Sequence, residues 1–329
     1  MQVQRNGASL LIHLGLAVSM MLTLCVLPAA ASEGAVAGRV FLTFDDGPIN
    51  ITLDILDELK LRHIKATFFV NAIHLDGQGG ENEDRAREAL RRIVAEGHVL
   101  GNHSYDHMGH NRPAAGVYAS TAAKAYRDVG TDLPYFIPMN ITPVNDVLGE
   151  LAVSPNNRIG TLARLPFANV WASPNLGAVC AWCNATTGGA FWHPDARARA
   201  ELEVSEAGGL LAEALQRRYK IDSFGWDIQW MPADWTSSVS NETLPPAAMI
   251  ERAIVALLDG GRYCVQTPQG ESCKLPLRSK NVVVLAHDFL FENGSRGRGK
   301  DINMPHLIKL IEALKAKGYI FETMDHYLD

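Results

Sequence analysis

The stretch Val40-Phe41-Leu42-Thr43-Phe44-Asp45-Asp46-Gly47-Pro48 constrains this chain more than any other. Apolar and β-branched residues run unbroken from Val40 to Phe44, the pattern of a strand buried in a sheet. Gly47 and Pro48 stop it and leave Asp45 and Asp46 at its C-terminal tip. Two adjacent like charges on a buried strand are costly unless a positive group sits between or beside them. A metal ion is the simplest such partner, so the other ligands must return to this strand end from elsewhere in the chain.

The residues that follow alternate in period. Thr52–Arg62 reads as an amphipathic helix with Leu53, Leu56 and Leu59 on one side, and Ala66–Val70 as a second strand. Asp84–Glu96 reads as a second helix with Ala89, Leu90, Ile93 and Val94 inward, closed by Gly97. His98–Asn102 is a third strand. Strand, helix, strand, helix, strand predicts parallel strands with helices outside. Residues 110–160 and 168–206 are rich in Pro, Asn, Gly and Ala with weak periodicity. They read as long loops with short helices at Ala119–Val129 and Thr142–Leu151, and loops of such length are usually functional. The alternation resumes with strands near Ile159–Arg164 and at Ser223–Trp226, Val282–Leu285 and Tyr319–Glu322. Helices are expected at Leu210–Tyr219, Ala247–Leu258 and Pro305–Lys317. The expected fold is one α/β domain, barrel-like, with its chemistry on loops at the strand C-terminal ends.

Composition narrows the function classes. The 329 residues, 47% hydrophobic and 20% charged, can bury one large core. A net charge of -6 carries no basic surplus, so nucleic acid is not an expected partner. Arg5, the apolar run Leu10–Leu27 and the small residues Ala29–Ala31 form a secretory signal, with cleavage expected after Ala31. A membrane anchor is the alternative, since about 18 apolar residues is the lower edge of a span. The expectation is a folded domain over residues 32–329, secreted or periplasmic, monomeric and without stable membrane association. Export leaves Cys180, Cys183, Cys264 and Cys273 in an oxidising compartment. Two disulfides, most simply the local pairs Cys180–Cys183 and Cys264–Cys273, are expected, and a Cys-x-x-Cys zinc site is the alternative.

Candidate ligands follow the third strand directly. His103 and His107, four apart on one turn, can reach a single ion, and Asp46 completes a His, His, carboxylate set. That donor set belongs to catalytic zinc, with a coordination position left for water. His287, just beyond the apolar run Val282–Ala286, is placed as a general acid on the same barrel face. Arg164, ending another strand, can hold Asp45 by a bidentate ion pair. All six Trp fall between Trp171 and Trp235, in a loop-rich stretch, which suggests an aromatic pocket wall for a sugar rather than core packing.

These residues resemble the five motifs of the polysaccharide deacetylase family, also called carbohydrate esterase family four or the NodB-homology family. The motifs appear in order as Thr43-Phe44-Asp45-Asp46-Gly47-Pro48, His103-Ser104-x-x-His107, Arg164-x-Pro166, Asp234-Trp235 and Leu285-x-His287. Residues 71–111 look most like secreted bacterial chitin-oligosaccharide deacetylases. The resemblance implies a distorted (β/α) barrel of fewer than eight strands, with long loops around the site. It implies zinc, or another divalent ion such as cobalt, on Asp46, His103 and His107. Asp45 would be the base, His287 the acid and Arg164 the residue that orients Asp45. The backbone N–H of Phe167 would help bind the oxyanion, and Trp171, Trp235 and Leu285 would contact substrate. An Asp of the fourth motif would tune His287; Asp227 and Asp234 both qualify, with Asp227 favoured. Ala168 stands where many relatives have Gly. The implied reaction is hydrolysis of the N-acetyl group of N-acetylglucosamine in chitin oligosaccharides. Peptidoglycan or acetylated xylan are alternative substrates, and a carbohydrate-binding protein without chemistry is the alternative of a different class. Six Asn-x-Ser/Thr sequons occur, at Asn50, Asn102, Asn140, Asn184, Asn241 and Asn293; a glycan on Asn102 would sit beside His103, so that match is read as coincidence.

Overall fold

A computed structural model describes residues 38–79, 82–108, 128–174, 177–180, 208–230, 247–260, 262–267, 270–274, 280–292 and 303–328. The expected leader, residues 1–31, lies outside them; Ala35–Asp329 forms one compact unit. No helix among the described residues is long and apolar enough to cross a membrane.

The opening strand, β1 (Arg39–Gly47), is the centre of the sheet. On one side it pairs in parallel with β2 (Thr67–Val70), and beyond β2 lies β3 (Val99–Asn102). Two helices join these strands, α1 (Thr52–Leu61) and α2 (Glu83–Ala95). In α2 the Asn82 side chain caps the first turn by accepting from the Arg85 N–H at 3.1 Å. The sheet continues through β4 (Leu162–Ala163) and β7 (Asp222–Ser223) to the antiparallel pair β5 (Val170–Ser173) and β6 (Gly177–Cys180). On the other side of β1 lie β11 (Asn281–His287) and then β8 (Ile228–Gln229), both parallel. A last strand, β12 (Ile320–Glu322), pairs with the first residues of β1.

Period-two alternation sorts the β1 side chains. Val40, Leu42 and Phe44 face the outer helices and pack with α1, α2 and the helices α5 (Ala247–Gly260) and α6 (Met304–Ala316). Phe41 faces inward with Phe69, Val99, Leu162, Trp171, Phe224, Trp226, Val283, Leu285 and Tyr327. That inner cluster joins strands from β5 to β11, so the sheet curls around it as an open barrel, and β6 and β8 are its edges. At Gly101, on β3, a β-carbon would stand 2.7 Å from Leu162 and Phe69, so glycine lets the curled wall close. Thr43 and Asp45 lie on the same inner side of β1 as Phe41, one and two steps nearer the strand end.

The helix expected at Ala119–Val129 lies mostly outside the described residues, and other expectations change. A helix begins at Val129, where Asp128 accepts from the Thr131 N–H at 2.8 Å, and runs to Phe136 as α3. Through a π-helical turn, Ile137–Ile141, it enters α4 (Thr142–Leu148). The stretch 168–206, read as loop, contains the β5–β6 hairpin, whose short strands of small residues carry little period-two signal. The strands at Ile159–Arg164 and Ser223–Trp226 shrink to Leu162–Ala163 and Asp222–Ser223, because the chain leaves the ladder where Arg164, Phe224 and Trp226 turn inward. A separate hairpin, β9 (Tyr263–Thr267) and β10 (Gly270–Lys274), was not expected.

Candidate metal centre and active site

Parallel register brings the chemistry to one level. Asp45 lies opposite His287 on β11 and opposite Phe69 on β2, while Asn102, the residue before His103, pairs with Val70 and Ala163. Arg164 follows Ala163 directly. The ends of β1, β3, β4 and β11 thus present Asp45-Asp46, His103, Arg164 and His287 on the C-terminal face of the sheet.

Asp46, His103 and His107 converge. Asp46 Oδ1 lies 3.4 Å from His103 Nε2 and 3.3 Å from His107 Nε2, and the three ligand atoms lie within 4.8 Å of one another. Donors about 2.1 Å from a tetrahedral ion stand roughly 3.4 Å apart, so this triangle fits zinc. Asp46 Oδ1 is buried and makes no hydrogen bond, which in an apolar site is unfavourable unless an ion takes that oxygen. His103 is held by its other nitrogen, Nδ1, against the Arg164 carbonyl at 2.7 Å, the second contact that fixes a metal-binding imidazole. Burial alone would raise the Asp46 carboxyl, but His107, then His103 and His287, outweigh it and hold it far below the ordinary carboxylate range.

Backbone strain collects here. Asp46, Ser104, His107, Met108 and Phe167 all have φ between 56° and 71° without being glycine. Each such residue costs on the order of 1 kcal/mol or more and persists only where the surroundings impose it.

Beside the triangle, Asp45 is buried and takes the Arg164 Nη1 at 3.0 Å. The guanidinium is itself fully buried. It donates from Nε to the Phe224 carbonyl at 3.0 Å, from Nη2 to the Gly225 carbonyl at 2.8 Å and from Nη1 to the Thr43 hydroxyl. The expected bidentate pair is therefore a single-pronged one, because the remaining donors are committed to the barrel wall. The Arg164 group also lies over the Phe69 ring, 4.4 Å from its centroid. His287 is buried, and burial lowers its pKa, with the nearby Asp46 and Asp45 opposing and His103 and Arg164 adding to the fall. Its neighbour Asp288, fully buried, accepts the Thr52 hydroxyl and packs under Gly47. Burial, reinforced by Asp46 and Asp45 against the Thr52 bond, pushes the Asp288 carboxyl up to about 8.

Residues 34–131 match the family described as polysaccharide deacetylase. A protein named chitin disaccharide deacetylase, from Vibrio alginolyticus, is 32% identical over 327 residues, covering 95% of this chain and 76% of that one. The chain belongs to the polysaccharide deacetylase family. A peptidoglycan-N-acetylglucosamine deacetylase from Bacillus cereus is 48% identical, but over 70 residues, 21% of this chain and 22% of that one. A solved structure described as a Streptococcus mutans CE4 esterase shares the fold at TM-score 0.50 and 22% identity, over 87% of this chain and 86% of that chain.

Within this polysaccharide deacetylase fold, the other expected site residues separate. Phe167 sits beside the metal triangle, its ring 4.4 Å from that of His107. Trp171 does not form an open wall: it is 1% exposed and packs on Tyr327 and Phe224 inside the barrel. Trp226 and Trp230 are likewise buried, at 5% and 0%. Strand alternation points Trp171 into the curled sheet, and Trp226 joins it from beyond the end of β7; the interior needs large side chains to fill it. Trp182, Trp192, Trp235 and Asp234 lie outside the described residues. Leu285 is inward and 2% exposed, two residues below His287 on the same face, so it forms the floor rather than the rim.

Asp227 does not pair with His287. Its Oδ2 accepts from the Val283 N–H at 2.8 Å and its own N–H donates to the Val283 carbonyl at 2.9 Å. Val283 stands four residues before His287 on an extended strand, roughly 13 Å away. Asp227 instead starts the β8–β11 ladder and lends negative charge to Arg164.

Sequence reasoning missed a set of buried asparagines behind the metal loop, Asn71, Asn102 and Asn140. Asn102, adjacent to His103, and Asn140 enter the sequence reading only as sequon positions.

Proposed function

We propose that this enzyme hydrolyses the N-acetyl group of N-acetylglucosamine units in short chitin oligosaccharides and releases acetate. The reaction class rests on one observation: the Asp46, His103 and His107 triangle adjoins Asp45, which a buried Arg164 holds in place. The substrate class rests on the extent of similarity. Likeness to the chitin disaccharide deacetylase runs through 95% of the chain, long loops included, whereas likeness to the peptidoglycan enzyme stops at 21%. Specificity resides in loops, so similarity through the loops favours the short sugar.

Asp46, His103 and His107 would hold zinc, or cobalt in its place, which when bound supplies Lewis acidity to the acetyl carbonyl and to water. Asp45 takes the proton of the attacking water, and Arg164 fixes the carboxylate for that role. The Phe167 N–H, in its left-handed turn beside His107, is placed to donate to the developing oxyanion. His287, opposite Asp45 across the β1–β11 ladder, gives its proton to the nitrogen as the C–N bond breaks. Its lowered pKa makes the imidazolium a stronger acid than an ordinary histidine. Net, one water and the amide give acetate and the ammonium form of the amino sugar; the proton taken up by Asp45 is released and His287 is reprotonated, so none is gained or lost.

We further propose export of the chain, with residues 1–31 removed, on the charged, apolar and small-residue order of the leader. The substrate test is acetate release from chitobiose, longer chitin oligomers, peptidoglycan and acetylxylan, with and without chelator. Chelator-sensitive release from chitobiose is expected, and Asp45→Asn should abolish it while sugar binding persists. Release from peptidoglycan alone would replace the substrate, and unchanged turnover by Asp45→Asn would remove Asp45 from the role of base.

A further inference from the structure

Behind the metal loop, three buried asparagine amides from three elements form one connected network. Asn71 follows β2, Asn102 ends β3, and Asn140 comes from the π-helical turn Ile137–Ile141; their exposures are 1%, 0% and 0%. Asn71 Nδ2 donates to the carbonyls of His103 at 2.6 Å and Ser104 at 2.9 Å. Asn102 Oδ1 accepts from the Ser104 N–H at 2.9 Å and from Asn140 Nδ2 at 2.7 Å. Asn102 Nδ2 donates to the carbonyls of Phe136 at 2.7 Å and Ile159 at 3.2 Å. Asn140 Nδ2 also reaches the Val70 carbonyl at 3.1 Å, and its Oδ1 accepts from the Ala72 N–H at 2.8 Å. All six amide N–H groups of the three residues therefore have acceptors.

The network ends on the strained part of the loop. Ser104 has φ 65°, and its backbone N–H and C=O are taken by Asn102 and Asn71. Its hydroxyl accepts from the Met108 N–H at 3.2 Å, one residue past His107. A left-handed serine between two ligand histidines requires its surroundings to hold it. The π-helical turn supplies the farthest of those supports: the wider turn between α3 and α4 carries Asn140, whose amide meets the backs of β2 and β3. The amides of Asn102 and Asn140 are thus consumed inside the protein, so neither sequon presents a nitrogen for glycosylation.

We propose that Asn140 is a positioning residue of the metal centre, acting through Asn102 on Ser104 to set the spacing of His103 and His107. The proposal rests on the metal-site reading above. It extends the site to Asn140, which contributes no ligand.

The test compares zinc affinity of full-length Asn140→Asp and Asn140→Leu with that of the parent, by competition against a chromophoric chelator well below the unfolding temperature. Asn140→Asp puts an acceptor against the Val70 and Asn102 oxygens; Asn140→Leu removes the polar group at similar volume. Both should weaken zinc 10- to 100-fold, the range for lost outer contacts of a metal site. Val144→Ala, a buried core truncation in the adjoining helix, should lower thermal stability yet leave zinc affinity unchanged. Parent-like affinity in either folded Asn140 variant, or an equal loss in Val144→Ala, would overturn the positioning role. If Asn140→Leu does not fold, Asn140→Asp decides. A parent that binds no zinc would instead overturn the metal site itself.

Discussion

Arg164→Lys separates charge from geometry at the heart of the site. The guanidinium reaches Asp45, Thr43, Phe224 and Gly225 with three nitrogens pointing in different directions. A lysine keeps the charge but ends in one nitrogen, which can serve about two of those partners. If it stays with Asp45 and Thr43, the carbonyls of Phe224 and Gly225 lose their donors inside the barrel. A buried bond to a charged group contributes about 1.5–3 kcal/mol, so two lost bonds destabilise by roughly 3–6 kcal/mol. At about 2–4 °C per kcal/mol, the unfolding temperature should fall by roughly 6–24 °C. The folded variant should also lose activity, because a base misplaced by about 1 Å costs on the order of 100-fold in rate. Thermal unfolding and acetate release from chitobiose read the two effects. A variant with parent-like melting and turnover would refute the claim that the three-way fork, rather than charge alone, holds Asp45.

His98 and the β9–β10 hairpin each carry a further outcome. His98 is fully buried, accepts the Ala66 N–H on Nδ1 at 3.2 Å, and is pushed down to about 3 by burial and then by Lys65. The unfolded chain takes up this proton below about 6.5 and the folded chain does not, so stability should fall as pH drops from about 6.5 toward 3. Urea unfolding at pH 7, 5 and 4 should show that slope, and His98→Asn should flatten it; an unchanged slope would remove His98 as its cause. Cys264 and Cys273 stand directly opposite in the β9–β10 ladder, where paired α-carbons lie about 4.5–5.5 Å apart, within disulfide range. Peptide mapping of oxidised protein should recover a Cys264–Cys273 crosslink, and free thiols at both positions would contradict it.

Much of this arrangement is legible in the sequence. The first half of the sheet reads directly because Val40–Phe44, Thr67–Val70 and Val99–Leu100 are apolar and the helices between them have clean amphipathic faces. Asp45-Asp46, Arg164 and His287 each follow an apolar run and His103 follows the third strand, so parallel register fixes their common level, while His107 reaches it from the loop four residues on. Trp171, Trp226 and Trp230, the tryptophans among the described residues, misled because crowding in sequence says nothing of direction; strand alternation turns Trp171 inward, where the curled sheet has volume to fill. Asp227 was misassigned because its place near a strand end did not reveal that its partner is the Val283 backbone, four positions below His287. Asn140 shows in the sequence only as a sequon: a lone asparagine in a proline-rich helical segment has no period, and its structural meaning comes from a π-helical turn and contacts 38 and 70 residues away.

The most direct test of the central claim is the metal content of the purified chain after dialysis against zinc, measured beside Asp46→Ala and His107→Ala. One zinc per chain, lost in both variants together with acetate release, is the predicted result. A chain that retains no zinc, or variants that retain it in full, would contradict the assignment of Asp46, His103 and His107 as the ligands.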